Sequence, residues 1–289
     1  MAIELHLATG AAATIALGGA FFGRHLIASR LRAARDEHGN RPALWNRFYE
    51  VDGGDTTTNN YGYAPAEEDH PQRFQREMYR QLLHRLDALR GPSEQFKLLE
   101  VSCGRAGGLE AFLEAGGERF DATGLDVAQS AIDWCRVHYS RPALRFVQGS
   151  ALELPFEDDS FDVILNVEAS NDYGDRPRFL AEVARVLKDD GVFLYADTCW
   201  EAKLAQREAE FRAAGFSARF DDITANVAEA CRRDSPRRRD VIGRHAPLLV
   251  RIALRPQLEN YAAVEGTRKY DAFAAGKRRY LMTAATKSA

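Results

Sequence analysis

The chain has 289 residues, of which 45% are hydrophobic and 28% are charged, and its formal net charge is -3. This composition is typical of a globular protein with a substantial core, and the near-neutral balance gives no reason to expect nucleic-acid binding. The four cysteines are far apart and no pair has metal-ligand spacing, which argues against a metal site and is typical of a reduced, cytoplasmic protein.

The N-terminal segment differs in composition from the rest of the chain. Residues 5–23 carry no formal charge and would form a helix about 28 Å long, just enough to cross a bilayer. Arginines follow within residues 24–35 and would hold the next segment on the cytoplasmic face. Glu4 argues against a cleaved secretory signal. We expect residues 1–38 to form an apolar helix that contacts a membrane through residues 5–35, or that packs on the domain or on a partner subunit.

Residues 39–289 are predicted to form one domain. Helices are expected in residues 43–90 around an irregular stretch, because residues 51–65 contain too many turn-forming residues for a regular element. Strands and helices then alternate, which predicts an α/β fold of the Rossmann-like, doubly wound type with a mostly parallel sheet and a helical lid from residues 200–256. The predicted strands are residues 97–102, 121–127, 144–150, 161–169, 191–199 and 278–288, the last at the sheet edge.

The sequence LLEVSCGRAGG at residues 98–108 places a glycine-rich turn after the first of these strands. Ligands of doubly wound sheets bind beyond the carboxyl ends of the strands, where the strand order reverses. Gly104, Gly107 and Gly108 allow the backbone to approach a ligand and to present its N–H groups. Ser102, however, stands where a nucleotide loop usually has its first glycine. The loop alone is a weak indication of a cofactor site.

Three further features support such a site. Asp126 ends the second strand about twenty residues after the loop, where a carboxylate accepts hydrogen bonds from both ribose hydroxyls. The same side chain could cap the helix that follows. Ser150 follows the third strand, at the position that usually reaches an adenine ring. Asn166 and Glu168 end the fourth strand and are expected to face the same crevice.

Taken together, these features resemble the class I S-adenosylmethionine-dependent methyltransferases, and among them the phthiotriol/phenolphthiotriol dimycocerosate and macrolide-type natural-product O-methyltransferases. The resemblance covers about residues 43–289 and rests on VSCGRAGG, TGLDV, FVQGSALELPFEDDSFDVILNVEASNDY, RFLAEVARVLKDDGVFLYADT and VEGTRKYDAFAAGKRRYLMTAATK. It implies S-adenosylmethionine as the cofactor. It also implies a small or lipid-like methyl acceptor, most simply a hydroxyl, in secondary metabolism.

The resemblance also implies roles for individual residues. The backbone at Ser102 and Gly104 would contact the amino-acid part of the cofactor, and Asp126 would bind its ribose. The other implied cofactor contacts are Val127, Ser150 and Ala151 around the adenine, Asn166 at the methionine end, and Tyr61 or Tyr63 in NNYGYAP as a lid.

The sequence leaves open which residue is the catalytic base. Similar enzymes often carry a histidine where this chain has Asn171, and an amide cannot take the proton of an acceptor hydroxyl. Asp172, Glu168 and His245 are the candidates to replace that histidine. A thioether or an already acidic hydroxyl would need no base, because alignment and exclusion of water supply most of the catalysis.

Other interpretations also stay open. A non-methylating protein of this fold, either a cyclase or an interaction scaffold, is the main alternative. A nicotinamide-dependent oxidoreductase fits less well, because its pyrophosphate needs a tight Gly-x-Gly turn where this chain has Ser102. The arginine-rich residues 232–240 could attract an anionic ligand, but they fit a solvated helix end better.

Overall fold

The computed structural model describes residues 42–50, 56–92, 94–245 and 248–288. The predicted apolar helix of residues 1–38, with its membrane contact, lies outside the described residues. Among the helices that are described, none combines the length and apolar character needed to span a membrane.

Helices occur where the apolar spacing predicts them. In one of them, Phe74, Met78, Leu82 and Leu86 recur at helical spacing and are all buried. The described helices are α1 (Pro42–Glu50), α2 (Arg73–Arg90), α3 (Gly107–Gly116), α4 (Gln129–His138), α5 (Arg176–Val186), α6 (Leu204–Ala213), α7 (Thr224–His245), α8 (Leu248–Tyr261) and α9 (Arg268–Ala274).

Eight strands of the described chain form one sheet in the order β3-β2-β1-β4-β5-β8-β6, and β7 pairs with β8. The strands are β1 (Phe96–Val101), β2 (Phe120–Asp126), β3 (Leu144–Gln148), β4 (Phe161–Val167), β5 (Leu187–Trp200), β6 (Phe216–Ser217), β7 (Asp221–Asp222) and β8 (Arg278–Lys287).

Neighbouring strands from β1 to β5 run parallel, whereas β8 is antiparallel to β5, β6 and β7. Strand order reverses between β1 and β4, so a crevice opens beyond the carboxyl ends of these two strands. The predicted Rossmann-like fold with a mostly parallel sheet is confirmed.

Both faces of the sheet are covered by helices. Because successive side chains of a strand point to opposite faces, Leu98 packs in one core with α2 and α3. Leu99 packs in a second core with α5, which includes Phe179 and Val183. Two buried faces require strands that are apolar at nearly every position, as β1 and β4 are.

Two expectations from the sequence are wrong. The last strand, β8, does not form the sheet edge, because it pairs with β5 on one side and with β6 and β7 on the other. The arginine-rich residues 232–240 are not a solvated helix end. They lie within α7, where Arg238 and Asp234 are buried and form an ion pair 3.0 Å long.

Candidate active site

The loop between β1 and α3 has three residues with left-handed backbone conformation: Ser102 (φ 62°), Gly104 (φ 54°) and Ala106 (φ 54°). The hydroxyl of Ser102 lies 2.6 Å from the hydroxyl of Tyr173, which orients the serine toward β4. A methyl group at Gly104 would overlap the hydroxyl of Tyr49. Two features favour glycine at position 104: the left-handed backbone conformation and the close approach of the Tyr49 hydroxyl.

Asp126 lies beside this loop at the end of β2 and is only 4% exposed. Its carboxylate accepts hydrogen bonds from the N–H groups of Gly104 and Ala128, both at 2.9 Å. Asp126 does not form the predicted cap of the following helix, because the residue that it binds, Ala128, is itself the N-cap of α4 and the helix has no side-chain cap. Its second contact is with the glycine-rich loop. Burial raises the pKa of Asp126, while the backbone N–H donors oppose that shift by stabilising the charged form.

A first cavity opens above the loop and the end of β2. Five of the predicted cofactor-binding residues line it: Ser102, Gly104, Asp126, Val127 and Ala151. The structure thus brings together groups from the ends of three parallel strands that are separated in the sequence.

The three other predicted cofactor contacts, Asn166, Ser150 and Tyr61, do not line the first cavity. Asn166 is fully buried, and its amide donates to the carbonyl of Val101 at 3.0 Å and to the hydroxyl of Tyr173 at 2.9 Å. The hydroxyl of Ser150 accepts a hydrogen bond from the N–H of Leu152 at 3.1 Å. Asn166 therefore acts on the cavity through Tyr173, which does line it.

Helix α1 covers the first cavity, and the sequence analysis did not find its role. Trp45 and Tyr49 line the cavity. The helix is attached to α4 by Asn46, which accepts from the N–H of Ser130 at 3.0 Å, and to the loop by Arg105, which donates to the carbonyl of Tyr49 at 3.0 Å. Burial and the charge of Asp126 raise the pKa of Tyr49, so its hydroxyl stays protonated.

A buried carboxyl group supports the loop from below. Glu100 is 1% exposed, and its Oε1 accepts a hydrogen bond from the hydroxyl of Tyr79 at 2.6 Å. Its Oε2 has no hydrogen-bond partner within the described part of the chain. Burial raises the pKa of Glu100 to about 8. Neither residue was singled out from the sequence, although Glu100 stands in the loop motif and Tyr79 lines the cavity.

A second cavity adjoins the first. Trp45, Asn59, Glu168 and Asp172 line both cavities, so the two spaces meet at these four residues. The wall of this cavity is partly apolar. The helical cap contributes Val241 and Ile242 from α7, Leu258 from α8 and Ala262 directly after it, and α1 contributes Phe48. The predicted helical lid is thus present over the crevice.

Glu168 stands at the junction of the two cavities with φ 51°, directly after β4. Its Oε1 accepts hydrogen bonds from the N–H of Tyr61 at 2.5 Å and from the hydroxyl of Tyr280 at 2.7 Å. Burial raises the pKa of Glu168 to about 8, against the opposing effect of these donors. A carboxyl group that titrates near neutral pH beside two cavities is suited to proton transfer.

The other candidates for the base differ in position. Asp172 lines both cavities. Asn171 lines the second cavity, but its amide is occupied by Asp197 at 2.6 Å and by Arg207 at 3.0 Å. His245 ends α7 and is not among the residues that line either cavity.

Tyr61 lines the second cavity rather than the first. Its hydroxyl accepts a hydrogen bond from Nζ of Lys269 at 2.7 Å, and its ring packs edge-on against Phe273, with 5.3 Å between ring centroids. Tyr63 is half-buried against the core. Tyr61 therefore belongs to the wall that separates the junction from α9.

Among the described residues, no three histidine, cysteine or acidic side chains converge to hold a metal ion. All four cysteines are free and buried. Two of them pack below the glycine-rich loop, where the thiols of Cys103 and Cys135 lie 3.7 and 3.3 Å from the carbonyl of Gly104.

The fold, the loop and the acidic residue after β2 define a class of protein, and sequence comparison agrees with it. Residues 99–195 match the model of the methyltransferase domain family. Together with the similarities below, this match shows that the chain belongs to the class I S-adenosylmethionine-dependent methyltransferases and uses S-adenosylmethionine as its cofactor. Asp126, the glycine at 104 and the first cavity fit that cofactor.

The chain is similar to particular members of this class. It is 41% identical over 172 residues to the "Probable phthiotriol/phenolphthiotriol dimycocerosates methyltransferase 2" of Mycobacterium ulcerans, covering 59% of this chain and 65% of the relative. It is 39% identical over 192 residues to the phthiotriol/phenolphthiotriol dimycocerosates methyltransferase of Mycobacterium tuberculosis, covering 66% of this chain and 69% of the relative.

A solved structure supports the fold. The [4+2]-cyclase SpnF superposes with a TM-score of 0.66 at 16% identity, over 88% of this chain and 98% of the cyclase. At this identity the similarity concerns the fold alone.

Proposed function

We propose that the chain transfers the methyl group of S-adenosylmethionine to an oxygen atom of a small lipid-like acceptor, most simply a hydroxyl, in secondary metabolism. The observation that carries this proposal is the junction, where Glu168 and Asp172 line both cavities. The first cavity would hold the cofactor and the second the acceptor. The partly apolar second cavity and the lipid acceptors in the names of the mycobacterial relatives both support a lipid-like acceptor.

The first cavity assigns roles to the residues that line it. Asp126 would accept hydrogen bonds from the ribose hydroxyls, and Val127 and Ala151 would contact the adenine. Ser102 and Gly104 would contact the amino-acid part through the backbone. Three predicted residues would act on the cofactor from outside the wall of the first cavity: Ser150, Asn166 and Tyr61. Asn166 would act through its hydrogen bond to Tyr173, and Tyr61 through its hydrogen bond to Glu168 at the junction.

When bound, S-adenosylmethionine would supply a methyl group on a sulfonium to the acceptor oxygen, and S-adenosylhomocysteine would leave with the electron pair of the broken sulfur–methyl bond. The protein contributes alignment of the two ligands across the junction, and α1 excludes water from the first cavity. We assign Glu168 as the general base that accepts the proton of an acceptor hydroxyl, because the pKa of a base is best placed close to the pH of the reaction and that of Glu168 is about 8. Asp172 is the second candidate for the base. Asn171 is excluded because an amide cannot take the proton, and His245 because it lines neither cavity.

We further propose that residues 1–38 form a segment separate from the catalytic domain of residues 39–289, and that residues 5–35 bring the enzyme to the cytoplasmic face of a membrane. Their uncharged run followed by arginines supports this. Removing residues 1–38 should leave cofactor affinity unchanged and abolish sedimentation with lipid vesicles. A folded truncated protein that no longer binds cofactor would contradict the separation.

The proposed function is tested by equilibrium binding and by transfer. Calorimetry should show micromolar binding of S-adenosylmethionine and S-adenosylhomocysteine, weakened at least about tenfold by Asp126→Ala, or about 1.4 kcal/mol. Labelled methyl should then appear in an acceptor from a lipid extract. Binding without any transfer would favour the cyclase or scaffold alternative. Transfer to a sulfur atom would favour an acceptor that needs no base.

A further inference from the structure

The second cavity contains two cations that form no ion pair with a carboxylate of the described residues. Lys269 of α9 and Arg278, the first residue of β8, both line it. Neither forms an ion pair with a carboxylate in the part of the chain that the structure describes. The two other arginines of the cavity, Arg237 and Arg238, are each paired with Asp234, at 2.7 and 3.0 Å.

Lys269 is held by neutral groups. Its Nζ donates to the hydroxyl of Tyr61 at 2.7 Å and to the carbonyl of Tyr261 at 2.9 Å. The ammonium also lies 5.2 Å and 4.9 Å from the ring centroids of these two tyrosines. Cation–π contacts and neutral acceptors orient a cation without cancelling its charge, so Lys269 presents a positive charge to the cavity.

Arg278, the first residue of β8, is also held by neutral groups. One terminal nitrogen donates to the hydroxyl of Thr198 at 2.6 Å. Its Nε is buried without a hydrogen-bond partner within the described residues. The guanidinium lies over the rings of Trp200 and Phe273, at 5.4 and 5.9 Å. A guanidinium is always charged, and this one has donor capacity that its neighbours leave unused.

The two cations influence each other. Burial lowers the pKa of Lys269 to about 8, and the charge of Arg278 lowers it further than burial alone would. Lys269 still carries its proton at neutral pH. Two like charges that face one cavity destabilise each other, and an anion bound between them would relieve both the repulsion and the unused donors.

None of the described acids of the cavity forms an ion pair with either cation. Asp197 is 2% exposed, and its carboxylate accepts hydrogen bonds from Asn171, from Ser170 and from the N–H of Thr198. Glu168 titrates near pH 8 and is therefore mostly neutral at pH 7. Asp172 lines the junction with the first cavity, and its charge acts on Lys269 from a distance without forming an ion pair with it among the described residues.

We propose that Lys269 and Arg278 form an anion site in the second cavity, and that the acceptor is an amphiphile whose carboxylate binds there. Its hydrocarbon part would lie along the apolar wall formed by Phe48, Val241, Ile242 and Leu258. This inference rests on the proposed function, since it names the acid group that the lipid-like acceptor carries. Lys269 and Arg278 are specificity-determining residues of the acceptor site.

The test compares two probes of equal length, decanoate and decan-1-ol, by calorimetry on the full chain saturated with S-adenosylhomocysteine. We expect decanoate to bind at least about tenfold more tightly than the alcohol, and this preference to shrink as salt is added. The double variant Lys269→Gln/Arg278→Gln should lose the preference without losing affinity for the alcohol. Lys269→Arg should retain it, and Arg212→Gln, an exposed arginine on α6, serves as the control.

Equal affinity for the two probes in the wild-type protein would overturn the anion site, and so would a preference that survives in the double variant. Failure of both probes to bind the loaded protein would also overturn it. Thermal melting and S-adenosylhomocysteine affinity of each variant separate a folding defect from a lost site. If folded wild-type protein does not bind S-adenosylhomocysteine at all, the proposed function fails instead.

Discussion

The hydroxyl of Tyr280, in β8, donates a hydrogen bond 2.7 Å long to Oε1 of Glu168, at the end of β4. The two residues are 112 positions apart in the sequence, and β5 lies between their strands. This contact connects the antiparallel part of the sheet to the junction of the two cavities. It also offsets part of the effect of burial on the carboxyl group, because it favours the charged form.

Tyr280→Phe should therefore raise the pKa of Glu168. If Glu168 accepts the proton of the acceptor, the rising limb of the pH–rate profile should move to higher pH by about one unit, and the rate at pH 7 should fall. The profile of kcat/KM against pH measures the shift. Tyr63→Phe, which removes a hydroxyl without touching Glu168, should leave the limb in place. An unmoved limb in Tyr280→Phe would exclude Glu168 as the titrating base.

Gly104→Ala should weaken cofactor binding. The new methyl group would overlap the hydroxyl of Tyr49 and would strain a residue at φ 54°, at a cost of about 1–2 kcal/mol for the backbone alone. Calorimetry with S-adenosylhomocysteine should show at least about a tenfold loss of affinity. Gly243→Ala, in α7, meets nothing within 4 Å and is the matched control. Equal affinity of both variants would show that α1 does not press on the loop.

Glu100→Gln should change how stability depends on pH. The pKa of Glu100 is about 8 in the folded protein, well above its value in an unfolded chain. Its contribution to stability is full below the unfolded pKa and is lost as pH rises toward 8, by at most about 1.4 kcal/mol per pH unit. Glutamine keeps an acceptor for the hydroxyl of Tyr79 but does not titrate.

Denaturant unfolding between pH 5 and about pH 8 would measure this difference in slope. The free energy of unfolding of Glu100→Gln should decrease less with pH than that of the wild type. Glu118→Gln, an exposed acid near α3, should follow the wild type. Parallel pH dependence in all three proteins would falsify the proton uptake assigned to Glu100.

Asn171→Ala should reduce stability and leave cofactor affinity unchanged. Asn171 joins Asp197 to Arg207, and its loss leaves a buried carboxylate and a buried guanidinium each short of one partner, at a cost of about 1–3 kcal/mol. Denaturant unfolding and calorimetry measure the two effects. A large loss of S-adenosylhomocysteine affinity in a stable variant would instead give Asn171 a direct place in the site.

The sequence predicts the parts of the site that follow the strands of the sheet. Asp126, Val127 and Ala151 could be placed because each lies at or within three residues of the end of a recognisable strand, and parallel strands end at one edge. Ser150 and Asn166 lie near strand ends too, the first after β3 and the second within β4, yet they do not line the first cavity. A shift of one residue in the position of a strand turns a side chain from the ligand to the opposite face, and the sequence alone does not fix that position.

The rest of the site comes from contacts between distant segments. Trp45 and Tyr49 reach the first cavity only because Asn46 attaches α1 to Ser130, and no local motif encodes that contact. The edge position expected for β8 was wrong for a related reason. The residues that cover β8, in β6 and β7, form two-residue strands that are too short to show an alternating pattern.

Trp45 contributes to the walls of both cavities from a single short helix. A ligand that fixes α1 from one side therefore also fixes part of the wall that the other ligand meets. The two association equilibria are then linked, and the factor by which the cofactor strengthens acceptor binding equals the factor by which the acceptor strengthens cofactor binding. In a variant in which Trp134 and Trp200 are replaced by phenylalanine, the emission of the Trp45 indole should follow each of the two titrations and their mutual dependence.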